Sequence, residues 1–434
     1  MKRREFLAKT GVAASTVYSI MPSKVLGAND RIRVAVMGCG RIAQRNVPGF
    51  QKIKEVEIVG LTEVYDSNLK KLQQRTGLTN VPTFTDYRKM LELPDVDVLL
   101  NCTPDHWHAL PTIDACNMGM DVYVEKPIGQ SVVEGRAMVD AARKNNAIVQ
   151  AGTQQRSGAH FQRAIEIVRS GILGTVSMVR CWNAQYQWPV GIGNPPDGDP
   201  PAGLDWDMWL GPAPMRPHNR NYWDNEGDWG RFRWFFDYAG GMMTDWFTHL
   251  IDIVHPAMNV TAPKAVTTIG DKYHMLDNRD TPDTVEAVLE YDDFICTYNN
   301  TTMNNRGLEG HGYGILFYGT EATMFLDRSG YEVMPRTVKQ GSEMVPSIAP
   351  IKSDTSEQFQ NHVQNFINCL HSRELPVSDI LECHYSTTAS HLCNVAMRSK
   401  ERIEWDAKAE RITNHDAPNK YLFREYRAPW KLPV

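Results

Sequence analysis

The chain has 434 residues, 42% of them hydrophobic and 22% charged, which suits two globular domains with sizeable cores and excludes a disordered chain. Its formal net charge of -5, with acids and bases interspersed, leaves no extended cationic surface and excludes nucleic acid as a partner. The eight cysteines form no CxxC pair, so they read as buried free thiols and no metal centre is expected.

The first residues, Lys2-Arg3-Arg4-Glu5-Phe6-Leu7, precede a weakly apolar run over 11–21 and then the polar Asn29-Asp30-Arg31. A basic start, a short apolar middle and a small-residue exit make residues 1–28 an export signal, with cleavage expected near Gly27 or Ala28. The Arg3-Arg4-x-Phe6-Leu7 pattern is of twin-arginine type, whose pathway carries folded proteins, so a periplasmic or otherwise exported protein is expected. No later stretch is apolar for long enough to span a bilayer.

A dinucleotide-binding domain is expected over 30–155. Ile32-Arg33-Val34-Ala35-Val36-Met37 is a β-branched run that breaks into Gly38-Cys39-Gly40 and resumes at helical period through Arg41, Ile42 and Ala43. This is the strand, tight turn and helix of a Rossmann unit: Gly38 permits the turn, Gly40 lets backbone approach a pyrophosphate, and Ala43 allows close packing of helix on strand. Arg41 and Ile42 open that helix as cofactor contacts. The next strand ends on Glu63, about twenty residues on, where an acid bonds the adenosine ribose hydroxyls and disfavours a 2′-phosphate; NAD is expected over NADP.

Two further strand ends are informative because ligands of parallel sheets sit beyond carboxyl ends of strands. Residues 96–102 form a continuous buried strand that stops at Thr103-Pro104-Asp105-His106-Trp107-His108, turning Thr103, Pro104 and His108 toward the cofactor. His106 and His108 have no acidic or thiol partner at ligand spacing. The strand 121–124 ends on Glu125-Lys126-Pro127, a lysine fixed by a proline-bearing turn. Downstream, Asp245 and His249 are four residues apart, which on a helix places both on one face.

Gly38-x-Gly40-x-x-Ala43, Thr103-Pro104, Glu125-Lys126-Pro127 and the stretch Gly240 to Asp252 together resemble the Gfo/Idh/MocA oxidoreductase family over nearly the whole chain after the signal. The resemblance implies an α/β protein: an N-terminal Rossmann domain plus a C-terminal α/β domain, 156–434, with an open, mostly antiparallel sheet that closes over the nicotinamide. It also implies a homo-oligomer, dimer or tetramer. Lys126 is then expected to steady the developing alkoxide, His249 to act as acid/base, and Asp245 to orient His249 and touch substrate. Glu125 joins the cofactor contacts, and Phe247, standing where family members often carry a small residue, puts the substrate's identity in question.

In the second half, a helix at 161–170 leads to a strand at 176–182, with further strands expected at 265–270, 284–291, 295–300 and 315–318. Helices are expected at 356–372 and 383–400; Cys383, His384, His391 and Cys393 fall in the second and read as helix packing. Loops carrying Tyr222, Trp223, Trp229 and Trp234 among charges read as a sugar cradle, with Arg156, Tyr222 and Trp223 added to Lys126, Asp245 and His249 as substrate contacts.

The expected function is NAD-dependent oxidation of a hydroxyl on a sugar, glycoside or polyol. Export from the cytoplasm favours a tightly held cofactor regenerated each turnover. Redox-neutral glycoside cleavage by oxidation, elimination, hydration and reduction, a plain sugar or inositol dehydrogenase, and a non-catalytic sugar-binding relative are the alternatives.

Overall fold

The structure, a computed structural model, describes residues 31–223 and 230–433; the export segment and Trp229 lie outside the described residues. In chain order the first half runs β1 (Ile32–Met37), α1 (Ala43–Gln51), β2 (Val56–Thr62), α2 (Asp66–Thr76), β3 (Thr83–Phe84), α3 (Tyr87–Leu91), β4 (Val98–Asn101), α4 (Ala109–Asn117), β5 (Asp121–Val124), α5 (Val132–Lys144) and β6 (Val149–Ala151). Its six strands are all parallel in the order β3-β2-β1-β4-β5-β6. Helices cover both faces, so apart from Arg33 in β1 and Asn101 in β4 the two strands are apolar runs rather than alternating ones. The order reverses between β1 and β4, and the crevice that reversal opens is where a dinucleotide sits.

The chain continues through α6 (Ala159–Arg169), β7 (Val176–Ala184), a short pair β8 (Asp197–Gly198) and β9 (His218–Asn219) flanking α7 (Trp206–Leu210), then α8 (Thr248–Met258), β10 (Ala265–Asp271), β11 (Thr284–Glu290), β12 (Ile295–Thr301), β13 (Tyr313–Gly319), β14 (Ala322–Asp327) and β15 (Gly330–Pro335). After β16 (Thr337–Gln340), β17 (Glu343–Pro346) and β18 (Ile351–Asp354) come α9 (Phe359–Ser372), α10 (Ile380–Ser399), β19 (Ile403–Asp406) and β20 (Arg411–Ile412). The large sheet is ordered β18-β15-β14-β13-β7-β12-β11-β10-β19-β20 and is antiparallel except where β7 meets β12. One face packs on α6, α8 and α10 through Phe161, Leu250, Val254 and Leu392, all essentially inaccessible.

The C-terminal helices also serve the first sheet. Val363, Phe366, Ile367 and Leu370 of α9 pack with Phe50 and Tyr123 on one side of it, while Ile380, Cys383 and Trp430 join the other side. Complete burial of Phe366 stabilises this return of the chain by ~1.5–3 kcal/mol. The cysteines are free and buried, and the imidazoles of α10 bond locally, His384 to Glu410 and His391 to the Gly129 carbonyl. Among the described residues no helix is long and apolar enough to cross a membrane.

Candidate active site

The cofactor side is set by the turn after β1. Gly38 has φ +84°, and its amide donates to the Thr62 carbonyl at 2.8 Å; a Cβ there would stand 2.9 Å from the Cys102 carbonyl oxygen. Only glycine accepts both constraints. The first turn of α1 has no side-chain cap, and Gly40, Arg41 and Ile42 line the cleft beside it. Glu63 leaves β2 and accepts from the amides of Cys39 (2.7 Å), Val64 (2.8 Å) and Tyr65 (3.0 Å). Burial raises its carboxyl above the usual range, and those amides oppose the rise.

Beyond β4, the Thr103 hydroxyl donates to Asn101 Oδ1 at 2.6 Å, and Thr103, Pro104 and Asp105 all line the cleft. Glu125 ends β5, buried, accepting from Asn46 Nδ2 at 2.8 Å; a Cβ on Gly152 would strike its carboxylate at 2.6 Å. Lys126 follows, its peptide bond to Pro127 cis. Ser131 then caps α5, accepting from the Glu134 amide at 3.3 Å, while Glu134 Oε2 accepts from the Gln130 amide at 2.6 Å; this reciprocal cap fixes the turn that carries Lys126.

The opposite wall comes from the second half. Residues Met243–Phe247 form a single π-helical turn that runs directly into α8. Lys126 Nζ donates to Asp245 Oδ1 at 2.6 Å and to the Asp245 carbonyl at 3.0 Å, and Arg233 Nε donates to the same Oδ1 at 2.9 Å. Burial would raise the Asp245 carboxyl, but Arg233 and Lys126 overcome it and hold it well below the usual carboxylate range. Burial, then the charges of Lys126 and Arg328, pushes the His249 imidazole well below the ordinary histidine value. His249 is therefore neutral at neutral pH and free to accept a proton. Asp105 is pushed up by burial to about 7, against Arg233 and Lys126. All of these groups line one cavity of about 410 Å³ with Gly38, Gly40 and Glu63.

Five expectations are corrected. Asp245 does not orient His249: its carboxylate is committed to Lys126 and Arg233, and His249 Nδ1 is buried with no hydrogen-bond partner, because the π-turn breaks the simple four-residue spacing. His108 does not face the cofactor; its ring nitrogens lie against the carbonyls of Pro127 (2.5 Å) and Thr103 (2.8 Å), so it ties the two turns together from behind. Arg156 is no substrate contact, since its Nε and Nη2 donate to the two Asp252 carboxylate oxygens at 2.8 and 3.0 Å in the buried seam between α6, α8 and α10. Tyr222 packs edge-on against Phe235 at 4.6 Å, away from the cleft that Trp223 lines. Phe247 also lies in the core, stacked on Tyr298 at 4.5 Å, and it is Trp246 that forms the pocket wall.

Arg233 and Arg328 were not foreseen. Arg233 sits in a one-turn 3-10 helix (Arg231–Trp234) inside the aromatic loop, and Arg328 at the β14–β15 hairpin tip; neither has a spacing relationship to its partners in sequence. Asp105 was visible only as one member of the Thr103–His108 turn.

The arrangement brings glycine turn, ribose-side acid, strand-end lysine and buried imidazole into one cleft between two α/β halves. Residues 32–153 match the model of an oxidoreductase family with an NAD-binding Rossmann fold, and residues 158–310 match the C-terminal alpha/beta domain of the same family. The chain belongs to the Gfo/Idh/MocA oxidoreductase family. Its cofactor is NAD. Among curated members of the family it is 23% identical over 149 residues to the myo-inositol 2-dehydrogenase of Thermotoga maritima, covering 34% of this chain and 44% of that protein. It is 28% identical over 153 residues to a glycosyl hydrolase family 109 protein of Akkermansia muciniphila, covering 33% of this chain and 32% of that one. The matches thus span less than half the length of these relatives. The fold is shared with a levoglucosan dehydrogenase solved with NADH and levoglucosan, at a TM-score of 0.66 and 14% identity, covering 86% of this chain and 99% of that one.

Proposed function

We propose that this Gfo/Idh/MocA protein oxidises a hydroxyl of a sugar, glycoside or polyol by hydride transfer, using NAD in preference to NADP. The observation that carries the reading is the Lys126–Asp245 pair at 2.6 Å beside the neutral His249, in the cleft of Gly38, Gly40 and Glu63. The residues present fit the dinucleotide. Among the described residues, the chain neighbours of Gly40 aside, the Asn68 amide alone lies within 4 Å of where a Gly40 Cβ would stand, leaving room over an uncapped helix turn for phosphates, with Glu63 placed for ribose hydroxyls. When bound, NAD supplies the two-electron acceptor for the carbon-bound hydrogen.

The chain supplies the rest. His249 takes the hydroxyl proton, and Lys126, locked by Asp245, sets its positive charge against the oxygen as that proton leaves. Arg233 keeps Asp245 ionised and so keeps Lys126 aimed. Trp209, Trp223, Phe232 and Trp246 offer aromatic faces suited to the C–H faces of a sugar ring. The named substrates of the relatives, inositol and levoglucosan, support the same class.

The Arg3-Arg4 signal supports an exported protein whose tightly held NAD is recycled within each turnover, and the open face of the large sheet, where Ile269 and Ile295 are exposed, supports a homo-oligomer. A redox-neutral glycoside cleavage begins with the same oxidation; the Akkermansia relative and a further cavity carboxyl near Lys126, Asp105, favour it as the alternative. A binding-only role is opposed by the complete Lys126, Asp245 and His249 set. The deciding experiment is mass spectrometry of the denatured protein for bound NAD(H), followed by a glycoside and polyol panel read for both nicotinamide reduction and aglycone release. Near-stoichiometric NAD with turnover supports the reading; a protein that binds no dinucleotide, purified or added, overturns it.

A further inference from the structure

Most buried cations of this molecule are answered by an acid: Lys126 and Arg233 by Asp245, Arg156 by Asp252, Arg424 by Glu134. Two guanidinium groups of the cleft are not. Arg328 and Arg45 both line the cavity, and among the described residues no carboxylate lies within ion-pair distance of either. Arg328 is half-buried and firmly placed. Its carbonyl accepts from Thr355 Oγ1 at 2.7 Å and Gln358 Nε2 at 3.4 Å, and the Ser329 amide bonds Asp327 Oδ1 at 2.6 Å, so the hairpin tip is held on both sides. The guanidinium lies over the Trp246 ring at 4.9 Å and reaches only a neutral oxygen, Gln155 Oε1 at 3.4 Å. Arg45 approaches from α1, its guanidinium 4.3 Å above the Phe359 ring.

Holding the Arg328 charge partly out of water without a counter-ion is costly unless a ligand provides one, while Arg45 is exposed at the cleft edge. The acids at this end do not: Asp245 is shared by two cations already, and burial pushes Asp105 and Glu125 toward their neutral forms. Arg328 stands at the reacting end of the cleft, over the Trp246 ring that itself lies 6.1 Å from the His249 ring, and Arg45 lines the same cavity from the first turn of α1.

We propose that the substrate carries an anionic substituent, a carboxylate or a sulfate ester, received by Arg328 with Arg45 while the hydroxyl to be oxidised lies against Lys126 and His249. This rests on the oxidoreductase reading above. A guanidinium is planar, and its fork of N–H donors pairs with two oxygens of such a group.

The test uses the full NAD-loaded chain and three matched probes: methyl glucoside, methyl glucuronide and methyl glucoside 6-sulfate. The expected kcat/KM for the better anionic probe exceeds that of the glucoside by ~10- to 100-fold, mainly through KM. Arg328→Gln collapses that ratio to near unity, Arg45→Gln lowers it partly, Arg328→Lys restores part of it, and bound NAD per chain is unchanged in all three. The ratio between glucuronide and sulfate tells which anion is meant. Equal turnover of the neutral probe, or equal losses on all probes in Arg328→Gln, overturns the proposal while leaving the oxidoreductase reading intact. Loss of bound NAD in the arginine variants assigns these groups to the cofactor phosphates and also overturns it. If the wild type oxidises none of the probes, calorimetry with glucuronate against glucose decides: anion-selective binding that Arg328→Gln abolishes supports the proposal, and its absence overturns it.

Discussion

The two halves of the molecule deliver their site residues by different means. The first sheet places Gly38, Glu63, Thr103 and Lys126 just past the ends of β1, β2, β4 and β5, four equivalent points of a regular parallel sheet. The second half reaches the same cleft through a π-turn bearing Asp245, a 3-10 turn bearing Arg233 and a hairpin tip bearing Arg328. The regular half supplies the glycine turn, Glu63 and Lys126 from strand ends, and the irregular half brings Asp245, Arg233 and Arg328 against them.

The largest break in this comparison comes from disarming the groups that meet across it. His249→Gln removes the proton acceptor and is expected to lower kcat ~10²- to 10⁴-fold, with bound NAD unchanged, read by single-turnover absorbance and by mass spectrometry. Because burial, Lys126 and Arg328 depress the His249 imidazole, wild-type kcat/KM should stay flat on acidification through the ordinary histidine range and fall only below it. A decline centred near the ordinary value would remove His249 as the base. Gly38→Ala attacks the regular half instead: at φ +84°, with the Cys102 carbonyl 2.9 Å from the new Cβ, it costs ~1–3 kcal/mol of stability and strips the bound dinucleotide. Retention of stoichiometric NAD in that variant would refute the role given to the turn.

Arg233→Gln probes the join at one atom. With Asp245 Oδ1 left to Lys126 alone, kcat is expected to fall ~10-fold with little change in NAD content, since one charge-assisted bond is lost and the Lys126 contact persists. A loss as large as that of His249→Gln would make Arg233 a direct participant.

These contrasts explain what could be read from the sequence. Strand, glycine turn and acid repeat a local grammar, so Gly38, Glu63, Thr103 and Lys126 were legible, as was the pairing of Lys126 with the Asp245 stretch through family resemblance. His108 and Arg156 were misplaced for one reason: side chains next to a site residue can turn inward to satisfy carbonyls or a buried acid, as His108 does with Pro127 and Arg156 with Asp252. The Asp245–His249 contact failed because a π-turn is invisible to a spacing rule that assumes an α-helix. Arg233 lies 12 residues from Asp245 across a 3-10 turn, and Arg328 returns at a hairpin tip after α8 and five strands, separations over which no periodicity records which side chain enters the cleft.

Glu63→Gln sharpens the picture of the regular half. Glutamine offers one acceptor oxygen where the carboxylate offers two, so either the Cys39 amide on Oε2 or the Val64 and Tyr65 amides on Oε1 lose their acceptor and the turn loosens, while loss of the negative charge removes the bias against a 2′-phosphate. Affinity for NAD should fall by ~3- to 10-fold and the NAD-to-NADP preference shrink, as measured by calorimetry on stripped protein. An unchanged preference would place cofactor choice elsewhere.

The smallest effect falls on the boundary between the halves, at Asp105, which the first sheet supplies and the second half's Arg233 addresses. Burial raises its carboxyl to about 7 although Arg233 and Lys126 pull it down and Asp245 pushes it up. An unfolded aspartate ionises near ~4, so between there and neutral pH the folded chain holds a proton that the unfolded chain has released. That proton is a stabilising contribution, present at acid pH and lost as pH rises through about 7. Asp105→Asn stays neutral throughout, so its thermal midpoint should lack the decline that this group gives the wild type between pH ~4 and about 7, a decline that levels off above that. Parallel pH profiles for the two proteins would mean that Asp105 is already ionised in the fold, neutralising Arg233 as a partner of Asp245, and that the cleft carries one positive charge fewer than its geometry implies.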